Sequence, residues 1–415
     1  MNMRRYGSDV AEQVRLHGMA YGGAAVGRLA DGAAVFVPGG LAGETVELEV
    51  AERRRNFARA RLVTMLDPSP ARVQPPCAHF LEGCGGCQWQ HAAYDAQLAF
   101  KRDVLLDQLR RLGGIDSPPL LESVPSPLEF GYRSSAEFHV RNGRVGFNRE
   151  GSHELVDVLS CPLISDEMNR ALRVVRQIVP AAPGAIESVE IRAGMDALQL
   201  TLYAQDDPRG YRILGDELAA AIGGECRVAG VRVGSDRTRG LHGQPYVHMR
   251  LAGRLWRVSA QSFFQVNLAV AERLCAAVLP FAPRGGRVLD LFAGVGLFGL
   301  LLADAAADVV AVESSAPAVA DAEANRAEAA ADNLQVVTAE VSPTHVEGKW
   351  DVIVLDPPRA GCPRAVLDVL DGHQIVYVSC DPSTLARDLK VLVGRGYRLD
   401  SVQLFDMFPQ TYHIE

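Results

Sequence analysis

Cys380 sits in the run VYVSCDPSTLARDL (376–389), where a strand pattern gives way to Ser-Cys-Asp-Pro and then to a helical pattern starting near Ser383. A thiol at the mouth of a helix N-terminus is expected to have its pKa lowered by the helix dipole. Such a thiolate can add to an electron-poor carbon and later leave it. Cys226, Cys275 and Cys362 read instead as core residues: one follows a glycine turn, one lies in the apolar run ERLCAAVL and one follows DPPRAG.

The run VLDLFAGVGLFG (288–299) is a strand entering a glycine-rich turn and a helix, and Gly294, Gly296 and Gly299 match G-x-G-x-x-G. Glu313 ends the next strand, 19 residues after Gly294, where an acid can hold ribose hydroxyls. A nicotinamide dinucleotide and S-adenosylmethionine both need this much. Asp290 before the glycines suits a cationic methionine end better than a pyrophosphate. The proline-locked DPPRAG (356–361) adds a rigid loop at the edge where ligands bind. Both features favour the methyl donor.

Cys77, Cys84 and Cys87 form C-x6-C-x2-C with Gly85 and Gly86 inside it, and Cys161 in LSCPL is the nearest fourth thiol. Four thiolates fit either structural zinc or a [4Fe–4S] cluster, and spacing alone does not separate them. His79 reads as a neighbour rather than a ligand.

These groups need a scaffold of more than one core, because 415 residues exceed a single domain. The expected fold class is α/β in three parts. Residues 1–66 read as short strands and turns, a small OB-like β-barrel. Its run RRRNFARAR (53–61) places five arginines around Phe57, either a solvated strand edge or a phosphate-binding strip. A Pro-rich linker (67–77) opens a central β-rich domain, 67–259, holding the cysteine cluster. A helix from Tyr94 to Leu112 lies in this part. Residues 260–415 alternate strands and helices, as a Rossmann-like parallel sheet does.

The net charge is −8, but residues 281–415 alone carry 10 basic and 19 acidic residues. The first two thirds are near neutral and arginine-rich, so a basic face for nucleic acid is allowed. No apolar run approaches the ~20 residues that span a bilayer. The N-terminal MNMRRYGSDV has no apolar leader core. A cytoplasmic, monomeric protein with no membrane partner is the expectation.

With these residues in hand, the chain resembles the RNA (uracil-C5)-methyltransferase family, specifically its 23S rRNA members with a TRAM domain and an iron–sulfur cluster. FVPGGLAGETVELEV looks like the TRAM barrel and CAHFLEGCGGCQWQH like the cluster motif. GYRSSAEFHV, FFQVN, DLFAGVG, DPPRAG, SCDPSTLARDL and MFPQTYHIE follow in the family's order. The resemblance implies methyl transfer from S-adenosyl-L-methionine to C5 of a uridine in RNA. It implies Cys380 as nucleophile and Glu415 as base, with donor contacts from Gln265, Phe292, Glu313 and Asp356. It implies a [4Fe–4S] cluster on Cys77, Cys84, Cys87 and Cys161, and packing of residues 93–125 on the catalytic domain. The favoured substrate is 23S rRNA, with the tRNA T-loop as the alternative. A non-catalytic RNA-binding or redox-sensing protein is the reading from another class. The complete set of Asp290, Glu313, Asp356 and Cys380 argues against it.

The chain departs from the family pattern at three places. The first cluster gap is six residues rather than five. Asp381 stands where Asn is usual, which is expected to raise the Cys380 pKa through like charge. The family also continues past the position of Glu415 into a last strand, so a less rigidly held base is expected here.

Overall fold

The computed structural model describes residues 12–182 and 184–415. The N-terminal run MNMRRYGSDV lies outside them. Five strands, β1 (Glu12–Met19), β2 (Ala25–Arg28), β3 (Ala34–Val37), β4 (Thr45–Arg53) and β5 (Phe57–Asp67), close into a barrel in the order β1-β2-β3-β5-β4. Alternation drives this closure: Val14, Leu16, Val46, Leu48, Ala58 and Ala60 all point inward. The linker is pinned to the barrel by Arg72, whose guanidinium holds the buried Glu44 carboxylate through 2.5 and 2.8 Å bonds.

The arginine strip runs along β4 and β5, and acids already occupy much of it. Arg53 pairs with Asp31, Arg54 with Glu52 and Arg61 with Glu49. Phe57 packs edge-on against Phe36 at 5.8 Å. Acids therefore balance part of the strip.

Two helices follow, α1 (Ala78–Leu81) and the long α2 (Tyr94–Arg111). The next strands are β6 (Ser135–Arg141), β7 (Arg144–Asn148), β8 (Leu155–Asp157), β9 (Ile186–Ala193), β10 (Leu198–Ala204), β11 (Cys226–Arg232) and β12 (Thr238–His242). They form one sheet ordered β12-β11-β10-β9-β6-β7-β8. Helices α3 (Asp166–Ile178) and α4 (Arg212–Ile222) bury Met168, Leu172, Val175 and Leu218 in its core.

A hairpin of β13 (Tyr246–Leu251) and β14 (Arg254–Ser259) then packs with α5 (Leu268–Val278). It shares its core with the last sheet. That sheet comprises β15 (Arg287–Leu291), β16 (Asp308–Glu313), β17 (Leu334–Thr338), β18 (Trp350–Leu355) and β19 (Gly372–Tyr377). All five strands are parallel, ordered β17-β16-β15-β18-β19. Their connections carry α6 (Leu297–Ala303), α7 (Ala316–Glu328) and α8 (Arg364–Leu367), and α9 (Pro382–Gly394) follows β19. The order reverses between β15 and β18, so the ligand crevice lies at the carboxyl ends of those two strands. Helix α2 reaches this part from far away in sequence: Val104, Leu105 and Leu109 pack with Ala386 and Leu389 of α9. Among the described residues no helix is long and apolar enough to cross a membrane.

Candidate active site

Asp290 is completely buried in the crevice. One carboxylate oxygen accepts the Gly299 amide at 2.7 Å. A Cβ at position 299 would lie 2.9 Å from that oxygen, so only glycine permits the approach. Among the described residues, the other oxygen has no hydrogen-bond partner. Glu313 accepts the amides of Gly294 at 2.8 Å and of Ser314 and Ser315 at 2.7 Å. Phe292 adopts the left-handed conformation at φ +65°, a costly state for a non-glycine residue.

Burial first, and then the charges of Asp356 and Glu313, push the Asp290 carboxyl up to about 7. Burial does the same for Asp356. Three carboxylates within electrostatic reach, one with an orphan oxygen, form a site that a cation would relieve. The sulfonium and ammonium groups of S-adenosylmethionine fit that requirement. Gln265 is buried, and its backbone carbonyl accepts the Ser134 hydroxyl at 3.5 Å.

Cys380 lies half-buried between β19 and α9. Its thiol is not depressed by the helix, contrary to expectation. Burial, then the Glu415 charge, push it up to about 11, with Arg359 pulling the other way. The reason is local. Asp381 is the helix N-cap and its carboxylate takes the Ser383 and Thr384 amides at 2.9 and 3.0 Å. The helix end is satisfied by that carboxylate and not by the sulfur. Nor is Asp381 the like charge that raises the thiol, since Glu415 and Asp356 fill that role.

Glu415, at the chain end, acts on Cys380 through its charge. Its carbonyl accepts the Phe405 amide at 2.9 Å. Burial, then the Asp356 charge, push its carboxyl up to about 8. It lines one end of a groove of about 610 Å³ along β19 and α9. The Glu415 and Asp356 carboxyls both act on the Cys380 thiol, and the Arg359 charge opposes them. Arg359 was legible inside DPPRAG, yet only the fold reveals that its charge acts on Cys380 and His413.

The four expected cysteines, Cys77, Cys84, Cys87 and Cys161, line one cavity with Phe80, Phe147 and Leu163. Burial raises the Cys84 thiol, and pushes Cys87 up to about 12 and Cys161 up to about 11. Only a bound cation would hold these sulfurs as thiolates. Gly85 crosses Asn148 so closely that a Cβ would lie 2.8 Å from its carbonyl. Among the described residues no three His, Cys, Asp or Glu side chains converge on a single metal ion. His79 is engaged elsewhere, with Nδ1 3.0 Å from Glu82 and Nε2 accepting the Leu159 amide.

Comparison with known proteins agrees with this geometry. The tRNA (uracil-5-)-methyltransferase family matches residues 243–415, and the TRAM domain matches 13–63. A 23S rRNA (uracil(1939)-C(5))-methyltransferase from Halomonas elongata is 36% identical, covering 99% of this chain and 90% of that protein. An uncharacterized RNA methyltransferase from Thermosynechococcus vestitus is 34% identical over 97% of this chain and 96% of its own. The crystal structure of Pyrococcus abyssi tRNA (uracil-54, C5)-methyltransferase with S-adenosyl-L-homocysteine has a TM-score of 0.75 and 27% identity, covering 98% of both chains. The chain belongs to the S-adenosylmethionine-dependent RNA (uracil-C5)-methyltransferases.

Proposed function

We propose that this enzyme methylates C5 of a uridine in 23S rRNA, with Cys380 as nucleophile and Glu415 as base. The observation that supports the reading is that Glu415, from the chain end, lines the same groove as Ser379 and Pro382, which flank Cys380 in the sequence after the last parallel strand. Uracil C5 is a poor nucleophile on its own. The Cys380 thiol gives up its proton to solvent, its sulfur bonds to C6, and the C5–C6 π pair moves into an enolate over C5 and O4. C5 then attacks the sulfonium methyl, and the S–CH₃ bonding pair stays on sulfur. Glu415 takes the C5 proton, the double bond re-forms and the thiolate leaves.

Asp290, Asp356, Glu313, Gln265 and Phe292 would hold the donor. Cys77, Cys84, Cys87 and Cys161 would hold a [4Fe–4S] cluster, since all four line one cavity. Such a cluster would cross-link the linker to the central sheet. The ribosomal substrate is favoured by relatives named for 23S rRNA at 34–36% identity over most of the chain. The tRNA alternative rests on the 27% identical solved neighbour.

The test is methylation of purified 23S rRNA and tRNA with labelled donor, followed by 5-fluorouridine-substituted RNA to trap the protein–RNA adduct. Label in tRNA alone would replace the ribosomal assignment. Full turnover by Cys380→Ala would remove the mechanism.

A further inference from the structure

The turn joining β1 to β2 leaves the barrel and reaches the N-terminus of α9. The Tyr21 hydroxyl donates to Asp381 Oδ2 at 2.9 Å, across 360 residues of sequence. The other Asp381 oxygen caps α9, directly after the nucleophile. One carboxylate therefore holds the nucleophile helix and the barrel at once. The Tyr21 ring also meets Tyr412 edge-on at 5.5 Å, and Tyr412 stacks on His413 at 4.4 Å, two residues before Glu415. The neighbouring Gly23 completes the junction. Its carbonyl accepts the Trp89 indole N–H at 2.9 Å. A Cβ there would lie 3.1 Å from Gln88 and 3.3 Å from Tyr412.

We propose that Tyr21 is a positioning residue for methyl transfer, latching the RNA-binding barrel to the nucleophile helix and to the loop that carries Glu415. The barrel then contributes to the chemical step and not only to RNA affinity. The proposal rests on the assignment of Cys380 and Glu415 above. It predicts a loss confined to the rate, because the hydroxyl is spent on Asp381 and is not offered to RNA.

The experiment measures adduct formation with saturating 5-fluorouridine RNA, alongside the RNA Kd. Tyr21→Phe removes only the hydroxyl, and a hydrogen bond to a charged group predicts roughly a tenfold slower adduct with Kd unchanged. Asp381→Ser keeps a good helix cap but withdraws the acceptor from Tyr21. It should match Tyr21→Phe, and the double variant should be no slower than either single one. An undiminished rate in Tyr21→Phe would overturn the latch, as would a raised Kd at constant rate or fully additive losses in the double variant. A wild-type protein that forms no adduct removes the nucleophile assignment and the latch with it. A wild-type adduct with an equal Tyr21→Phe rate removes the latch alone.

Discussion

The ammonium of Lys101 on α2 lies 2.6 Å from the carboxylate of Asp406, and both side chains are completely buried. The same ammonium donates to the Phe408 carbonyl at 2.9 Å. Gln97, one turn earlier, donates to the Gln410 side chain at 3.0 Å and accepts the Gln410 amide at 2.8 Å. The loop leading to Glu415 is thus clamped by a distant helix. Removing one partner of a buried ion pair strands the other charge, at a cost of about 3–5 kcal/mol. Lys101→Met should lose that much in denaturant unfolding. Lys101→Met with Asp406→Leu should recover most of the stability while turnover stays low, because the Phe408 anchor is still missing. A double variant with full turnover would deny the clamp any role in the reaction.

Glu415→Gln separates the two halves of the reaction. The amide cannot take the C5 proton, so sulfur addition and methyl transfer proceed while release stalls. With ordinary uridine RNA, a covalent protein–RNA band should accumulate on denaturing gels, and turnover should fall by ~10²–10⁴. An unchanged turnover in Glu415→Gln would transfer the base role to another group.

The raised carboxyl groups make donor binding pH-dependent. Asp290 and Asp356 stand at about 7 and Glu415 at about 8, above their ordinary 3.8 and 4.5. The folded protein holds these protons more tightly than the unfolded chain. Their stabilisation is full below the ordinary values and is lost as pH rises through 7 to 8. A cationic ligand offsets that loss, so the rise in Tm on adding S-adenosylmethionine should be larger at pH 8 than at pH 6. S-adenosylhomocysteine, without the sulfonium charge, should show less of this growth. Equal shifts at both pH values would contradict a carboxylate-lined donor site.

The catalytic sheet was legible because four of its five strands are apolar runs leading to a chemical residue: Asp290, Glu313, Asp356 and Cys380 all sit at carboxyl ends, whereas β17 carries none and went unread. The state of the thiol was not legible. Reading a helix N-terminus from sequence does not say which group takes its amides, and here Asp381 takes them. The clamp on the Glu415 loop was hidden for a different reason. Gln97 and Lys101 lie on the buried face of α2 with Val104 and Leu105. A polar residue at a core position looks like noise until its partner, more than 300 residues away, is placed. The barrel's arginines left two readings open in the sequence, and only the fold shows that neighbouring acids pair with several of them.

Removing metal from the cysteine cavity should be felt at the catalytic loop. Gln88 and Trp89, next to Cys87, donate both backbone amides to the Gln410 carbonyl at 3.1 and 3.0 Å. Gln410 is held at φ +69°, a strained state that needs such contacts to persist. Metal binding by thiolates is folding free energy, so its loss should loosen this segment first. Protein purified without oxygen should contain iron and inorganic sulfide and absorb visible light. Cys87→Ser should lose iron, lower the Tm and speed amide hydrogen exchange over 406–413, while still binding S-adenosylmethionine. Full Tm and unchanged exchange in iron-free Cys87→Ser would reduce the four cysteines to bystanders of the catalytic loop.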